Sequence, residues 1–154
     1  MAASAIQFYG NNIDLLKLSD LTGATINMAL LASTYTPDTT NTGHTVYANL
    51  TNEIANGNGY TTGGVSLSAP TVAAYLTTGF KFSTGNASWT ASGTGIPAWR
   101  YGVLYVSGSL WGITSPLLGY FTGDSTPADV PLTASGIILQ ITCPANGWFT
   151  DVRT

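Results

Sequence analysis

The sequence predicts an all-β fold: a single-domain β-sandwich, jelly-roll or Ig-like, with at most one or two short helices. Three features say so. The apolar runs are short and are bounded by glycine, proline, threonine and asparagine, the punctuation of strands and turns. Two of them, "FKFST" (80–84) and "RYGVLYVSG" (100–108), alternate with the period of two that a strand requires. The 154 residues show neither internal repeat nor linker, which suits one domain with room for a core.

Taken in order, "MAASAIQFYGNN" (1–12) mixes apolar and small residues without helix caps. It reads as a flexible N-terminal arm, leaving 13–154 as the domain. "IDLLKLSDL" (13–21) fits helical spacing and is equally short enough for a strand. "TINMALLAS" (25–33) has the length and apolarity of a buried strand. The Thr-rich stretch 34–45 is a loop. "VYANLTNEIAN" (46–56) spaces Val46, Leu50 and Ile54 at i, i+4, i+8, which predicts a short helix. "VSLSAPTVAAYLT" (65–77) is interrupted by Pro70, so it forms two short strands or one bent edge strand. "WTASGTGIPAW" (89–99) is mostly loop and delivers the strand at 100–108. There Tyr101, Val103 and Tyr105 point to one face, and Gly102, Leu104 and Val106 to the other. Gly102 leaves room on its face for a neighbour. "PLLGYFTG" (116–123), "GIILQITCP" (136–144) and "GWFTDVRT" (147–154) complete the strands.

Charge excludes several functions. Only 7% of residues are charged, the net charge is −3, and the cations are Lys17, Lys81, Arg100 and Arg153. No basic stripe for nucleic acid can be built from them, nor a basic membrane-surface helix. No run approaches a membrane span. The first residues have neither the basic segment nor the apolar run of a secretory signal. A surface of hydroxyls, amides and glycines suits dense contact inside an assembly, because little charge has to be desolvated.

The search for chemistry begins at "NGNGYTTGGVS" (56–66). Gly59 and Gly64 have phosphate-loop spacing, but Val65 stands where the lysine must be and a strand-like segment follows where a helix must start. The glycines supply positive φ for consecutive tight turns, and Tyr60 anchors them with its ring against the sandwich or a neighbouring subunit. The acids are scattered; Asp124 and Asp129 share a loop, where turn capping is favoured over calcium binding. His44 reads as a solvated turn residue and Cys143 as a buried, inert thiol. A nucleophilic Cys143–His44 pair is the weakest reading. No catalytic, cofactor or metal site is expected, and the chain does not read as an enzyme. Trp89 and Trp99 flank the loop 89–99, and Trp111 in "SGSLWGITS" is the aromatic expected to be most exposed. Interface candidates are Tyr60, Trp99 and Trp111, with Ile6, Phe8 and Tyr9 on the arm.

The segments "INMALLASTYTPDTTNTGH", "NEIANGNGYTTGGVSLSAPTV", "FSTGNASWTASGTGIPAWRYGVLYV" and "SPLLGYF", in that order, resemble a family of small virion structural proteins of tailed bacteriophages. The match runs from about residue 25 to the end. Two departures stand out: Gly102 where that family has alanine, and "GYFTGD" where a "GYIDFG"-like sequence is usual. The resemblance implies a capsid decoration (cement) protein on the outside of the virion. Its partners would be the major capsid protein and itself, as a homo-oligomer with a trimer ahead of a dimer. The alternative is a tail- or fibre-associated protein or a host-glycan-binding module, with Trp111 beside Asp124 or Asp129 as its platform.

Overall fold

A computed structural model describes residues 4–9, 12, 16–124, 126 and 128–152. The strands, in chain order, are β1 (Gln7–Phe8), β2 (Ile26–Leu31), β3 (Val65–Ser66), β4 (Thr71–Tyr75), β5 (Gly79–Ser83), β6 (Ala87–Thr90), β7 (Tyr101–Val106), β8 (Ser109–Leu110), β9 (Ile113–Thr114), β10 (Leu117–Thr122), β11 (Ile138–Ile141) and β12 (Phe149–Val152). Strands β2 and β7 pair antiparallel from Ile26↔Val106 to Leu31↔Tyr101. They are central in a five-stranded antiparallel sheet of order β1-β10-β7-β2-β3. Two smaller sheets, β12-β5-β4 and β11-β6, supply a second layer, and β8 and β9 form a hairpin. The fold is all-β, as the alternation requires.

The central sheet is buried on both faces, which is why "INMALL" is nearly continuous in apolar residues. Its first face carries Ile26, Met28, Leu30, Leu104, Val106 and Phe121. These pack against Phe82 of β5, Trp89 of β6, Leu139 and Ile141 of β11, and Phe149 of β12 in one core cluster. Fully burying each such side chain stabilises by roughly 1.5–3 kcal/mol. The second face carries Ala29, Leu31, Val103, Tyr105 and Leu117, and is covered by Tyr9 and Tyr35. The alternation predicted for 101–106 therefore holds. Gly102 does make room: a Cβ there would stand 2.3 Å from Cζ of Phe121, its register partner on β10. Pro70 lies between β3 and β4, so "VSLSAPTVAAYLT" is two strands.

Two expectations change. Residues 46–56 do not form a helix; only Tyr47–Asn49 turn, as a 3-10 segment. Asn49 Oδ1 accepts the N–H groups of Thr45 and Val46, both at 3.0 Å, which closes the turn. Leu50 then leaves in extended geometry, and Asn52 at φ 59 redirects the chain so that Glu53 bridges Leu31 of β2. In the 13–21 segment, Leu18–Gly23 is a 3-10 turn, and residues 13–15 lie outside the described residues.

The second correction is the N-terminal arm. Residues 1–3, 10 and 11 lie outside the described residues, but 4–9 are built into the domain. β1 pairs with β10 as Gln7↔Tyr120 and Phe8↔Gly119. Ser4 N–H donates to the Thr122 carbonyl at 2.9 Å, and Thr122 N–H donates to Ser4 Oγ at 2.9 Å.

Candidate interaction surface

The turn segment 56–66 is organised around one carboxylate. Glu53 Oε1 accepts the Tyr60 hydroxyl at 2.5 Å and the Gly63 N–H at 2.7 Å, and Oε2 accepts the Tyr47 hydroxyl. The Tyr60 oxygen in turn accepts the Leu30 N–H of β2 at 3.0 Å. Burial and the Glu53 carboxylate both push the Tyr60 and Tyr47 phenols well above the ordinary tyrosine value. Tyr47 stacks on Tyr105, ring centroids 4.6 Å apart. Gly63 and Gly64 both have positive φ, and a Cβ on Gly64 would lie 1.7 Å from the Met28 carbonyl oxygen. The glycines let the turn press against β2; Glu53 and two tyrosines hold it there.

A second polar chain lies on the same face of the central sheet. The Tyr9 and Tyr35 hydroxyls are 2.7 Å apart, and Tyr35 stands 2.9 Å from His44 Nδ1. Burial is the main cause that raises both phenols, Tyr9 far above its usual range and Tyr35 up to about 12. His44 is thus half-buried and hydrogen-bonded, not a freely solvated turn residue.

Several interface candidates belong to the interior. Tyr60 is 2% exposed, Trp99 0% and Tyr9 0%. Tyr60 packs near Trp89 as the anchor of its turn, and Trp99 fills the space left by Gly123. None of the three is available to a partner of the described chain. For Tyr60 the sandwich, not a neighbouring subunit, takes the ring; for Trp99 and Tyr9, aromatic size and position in the sequence do not separate a ring that docks outward from one that docks inward. Ile6 and Phe8 are half-buried, with the Phe8 ring 5.2 Å from Phe149.

Trp111 is also half-buried. With Gly112 it makes the tight turn of the β8–β9 hairpin, both at positive φ (55° and 74°). Its indole N–H donates to Asp20 Oδ2 at 2.9 Å. The acid beside it is Asp20, not Asp124 or Asp129. Asp124 caps its own turn by accepting the Thr126 N–H and hydroxyl, which lowers its pKa. Asp129 pairs with Arg100 Nε at 2.7 Å. Cys143 is half-buried rather than buried; its thiol donates to the Pro144 carbonyl at 3.7 Å, while His44 Nδ1 is bonded to Tyr35. Among the described residues no group of three His, Cys, Asp or Glu side chains is placed to hold a metal ion.

Among the described residues six large apolar side chains stand exposed in an otherwise polar, weakly charged surface. A first group lies on the β12-β5-β4 sheet: Leu76 (69% exposed) in the β4–β5 turn, Phe80 (48%) on the face of Phe82, and Val152 (40%) on the opposite face beside Gly79. Phe80 also borders a groove of about 360 Å³ lined with Phe8, Leu16, Val72 and Phe149. A second group, Leu132, Ile137 and Ile138, lies on β11 and the loop before it. Sequence reasoning missed both groups. The signal for the first was Phe80 and Phe82 falling on one face of a strand; Phe82 is covered and Phe80 reaches past the cover.

No family model matches the chain, and neither a curated protein nor a solved structure does.

Proposed function

We propose that the protein is a bacteriophage virion structural protein, a capsid decoration (cement) protein that binds the outer surface of the major capsid shell and bridges neighbouring capsomers. The observation that carries this reading is an exterior poor in charge and studded with apolar side chains. Phe80, continuous with the apolar groove of Phe8, Leu16, Val72 and Phe149, is the main one, and exposed apolar surface of this kind marks protein contact sites. A ligand that binds only the assembled shell stabilises it by mass action, with no chemistry required. The two departures from the phage pattern meet at one packing contact. Gly102 and Phe121 are register partners, and the larger ring occupies the volume that alanine at 102 would need.

The groove beside Phe80 is the natural seat for a capsid segment, since its walls are aromatic and aliphatic with Lys17 and Asp151 at the rim. The test is co-sedimentation of purified protein with expanded, undecorated heads. Binding that saturates at a fixed number of copies, and is weakened about tenfold or more by Phe80→Lys, supports the reading. Absence of binding to heads refutes it. The glycan-binding alternative gains nothing from Trp111, whose indole is packed and whose N–H is already bonded to Asp20.

A further inference from the structure

Strand β11 is an unprotected sheet edge. The other edges of the described sheets are blunted or covered: β1, β3, β8 and β9 are two residues long, β4 follows Pro70 and lies against the turn Leu18–Gly23, the end of β6 lies against the 57–60 turn, where a Cβ on Gly59 would stand 2.0 Å from the Thr90 carbonyl oxygen, and β12 carries Asp151. Short strands, prolines and charges are the devices that stop an edge from pairing with a neighbour. β11 has none of them. It spans Ile138–Ile141, contains neither charge nor proline, and pairs with β6 alone. Its inward residues Leu139 and Ile141 are both 6% exposed and fill the core. A strand with one wet face should be polar outward. Ile138 is 60% exposed instead, beside Ile137 at 56% and Leu132 at 53%.

We infer that β11 is the seat of self-association: a second copy of this chain lays its own β11 antiparallel against this one across a twofold axis, joining the two β6–β11 ribbons edge to edge. Charge selects a second copy as the occupant. A twofold axis sets interface residues close to their own counterparts, so a charge beside it would face itself. Residues 130–150 hold no Asp, Glu, Lys, Arg or His, and the outward residues of β6, Ser88 and Thr90, are neutral. A charged partner would find no counter-charge, whereas the uncharged edge matches itself. Ile138 and Ile137 would leave water in both copies at once. The inference deepens the self-association within the proposed capsid role. It selects a dimer over a trimer, because identical strands pair antiparallel only across a twofold.

Sedimentation equilibrium of the purified full chain, without capsids, tests it. The wild type is expected to be a dimer. Ile138→Lys, which puts an ammonium group from each copy into the uncharged seam, should weaken it about 100-fold or more while leaving the circular dichroism spectrum unchanged. Ile138→Thr keeps strand propensity, guards against a misfolded lysine variant, and should weaken the dimer about tenfold. Leu76→Lys should leave it intact. A wild-type monomer or trimer, or a dimer indifferent to both Ile138 variants, overturns the inference. Since no capsid is present, failure here leaves the decoration role standing, and failure of head binding leaves the dimer standing.

Discussion

Glu53 shows how much one residue can organise. Its carboxylate holds two hydroxyls and an amide from a turn that has no helix or sheet ladder of its own. Hydrogen bonds to charged groups are worth roughly 1.5–3 kcal/mol, and an orphaned partner costs more than a missing pair. Glu53→Gln is therefore expected to destabilise by about 2–4 kcal/mol in urea unfolding, and Tyr60→Phe by about 1–3 kcal/mol because the Leu30 N–H loses its acceptor. The buried phenols also fix a pH dependence. A phenol whose folded pKa lies above its unfolded value near 10 contributes stability that is fully present below pH 10 and is lost as pH rises. Tyr35, held up to about 12, places that loss between about pH 10 and 12, with Tyr9, Tyr47 and Tyr60 extending it upward. The melting temperature should fall across that window, and Tyr35→Phe should flatten the fall. A flat wild-type profile would contradict the burial of these hydroxyls. At this scale the sequence was partly legible. Tyr60 was readable as a turn anchor because glycines surround it. Glu53 was not readable as its partner, since nothing in spacing says that a carboxylate folds back over residues seven and ten positions ahead.

At the scale of elements, a neighbouring ring takes the place of a side chain at Gly102. Gly102→Ala pushes a Cβ into Phe121, and overpacking of this kind costs about 1–3 kcal/mol. If the two positions compensate, Phe121→Ile in the same chain should recover about 1 kcal/mol or more, read as a coupling energy in a double-mutant cycle. Additive effects would show that the two positions do not share the space. Strands were the most legible elements: 101–106 and 26–31 follow directly from period and apolar length. The segment 46–56 misled, because Val46, Leu50 and Ile54 have helical spacing by coincidence. Asn49 and Asn52 decide its path through local side-chain bonding and a left-handed backbone, signals that periodicity does not carry. The first residues misled too. Composition without caps resembles an arm, but Tyr9 has a buried place under the second face of the sheet. Tyr9→Ala should cost about 3–5 kcal/mol in thermal or urea unfolding, an effect a free arm would not produce.

For the whole molecule, the balance of charge and apolar exposure points outward to partners. A chain with 7% charged residues has little electrostatic repulsion to keep copies apart. It leaves Phe80 beside an apolar groove and a group of apolar side chains along an open strand edge. The groove is the proposed seat of the shell, and the strand edge that of a twin copy. The low charge was legible from composition; the two patches needed the fold, because exposure depends on which strand ends go uncovered. The central claim is that this domain decorates a phage head, and a density map of intact DNA-filled heads freed of their tails tests it most directly. Density for this domain is expected at regular positions on the outer shell, spanning capsomer boundaries, with the Phe80 groove against the major capsid protein. Heads that carry no such density, with the protein found instead among the removed tails, would contradict it.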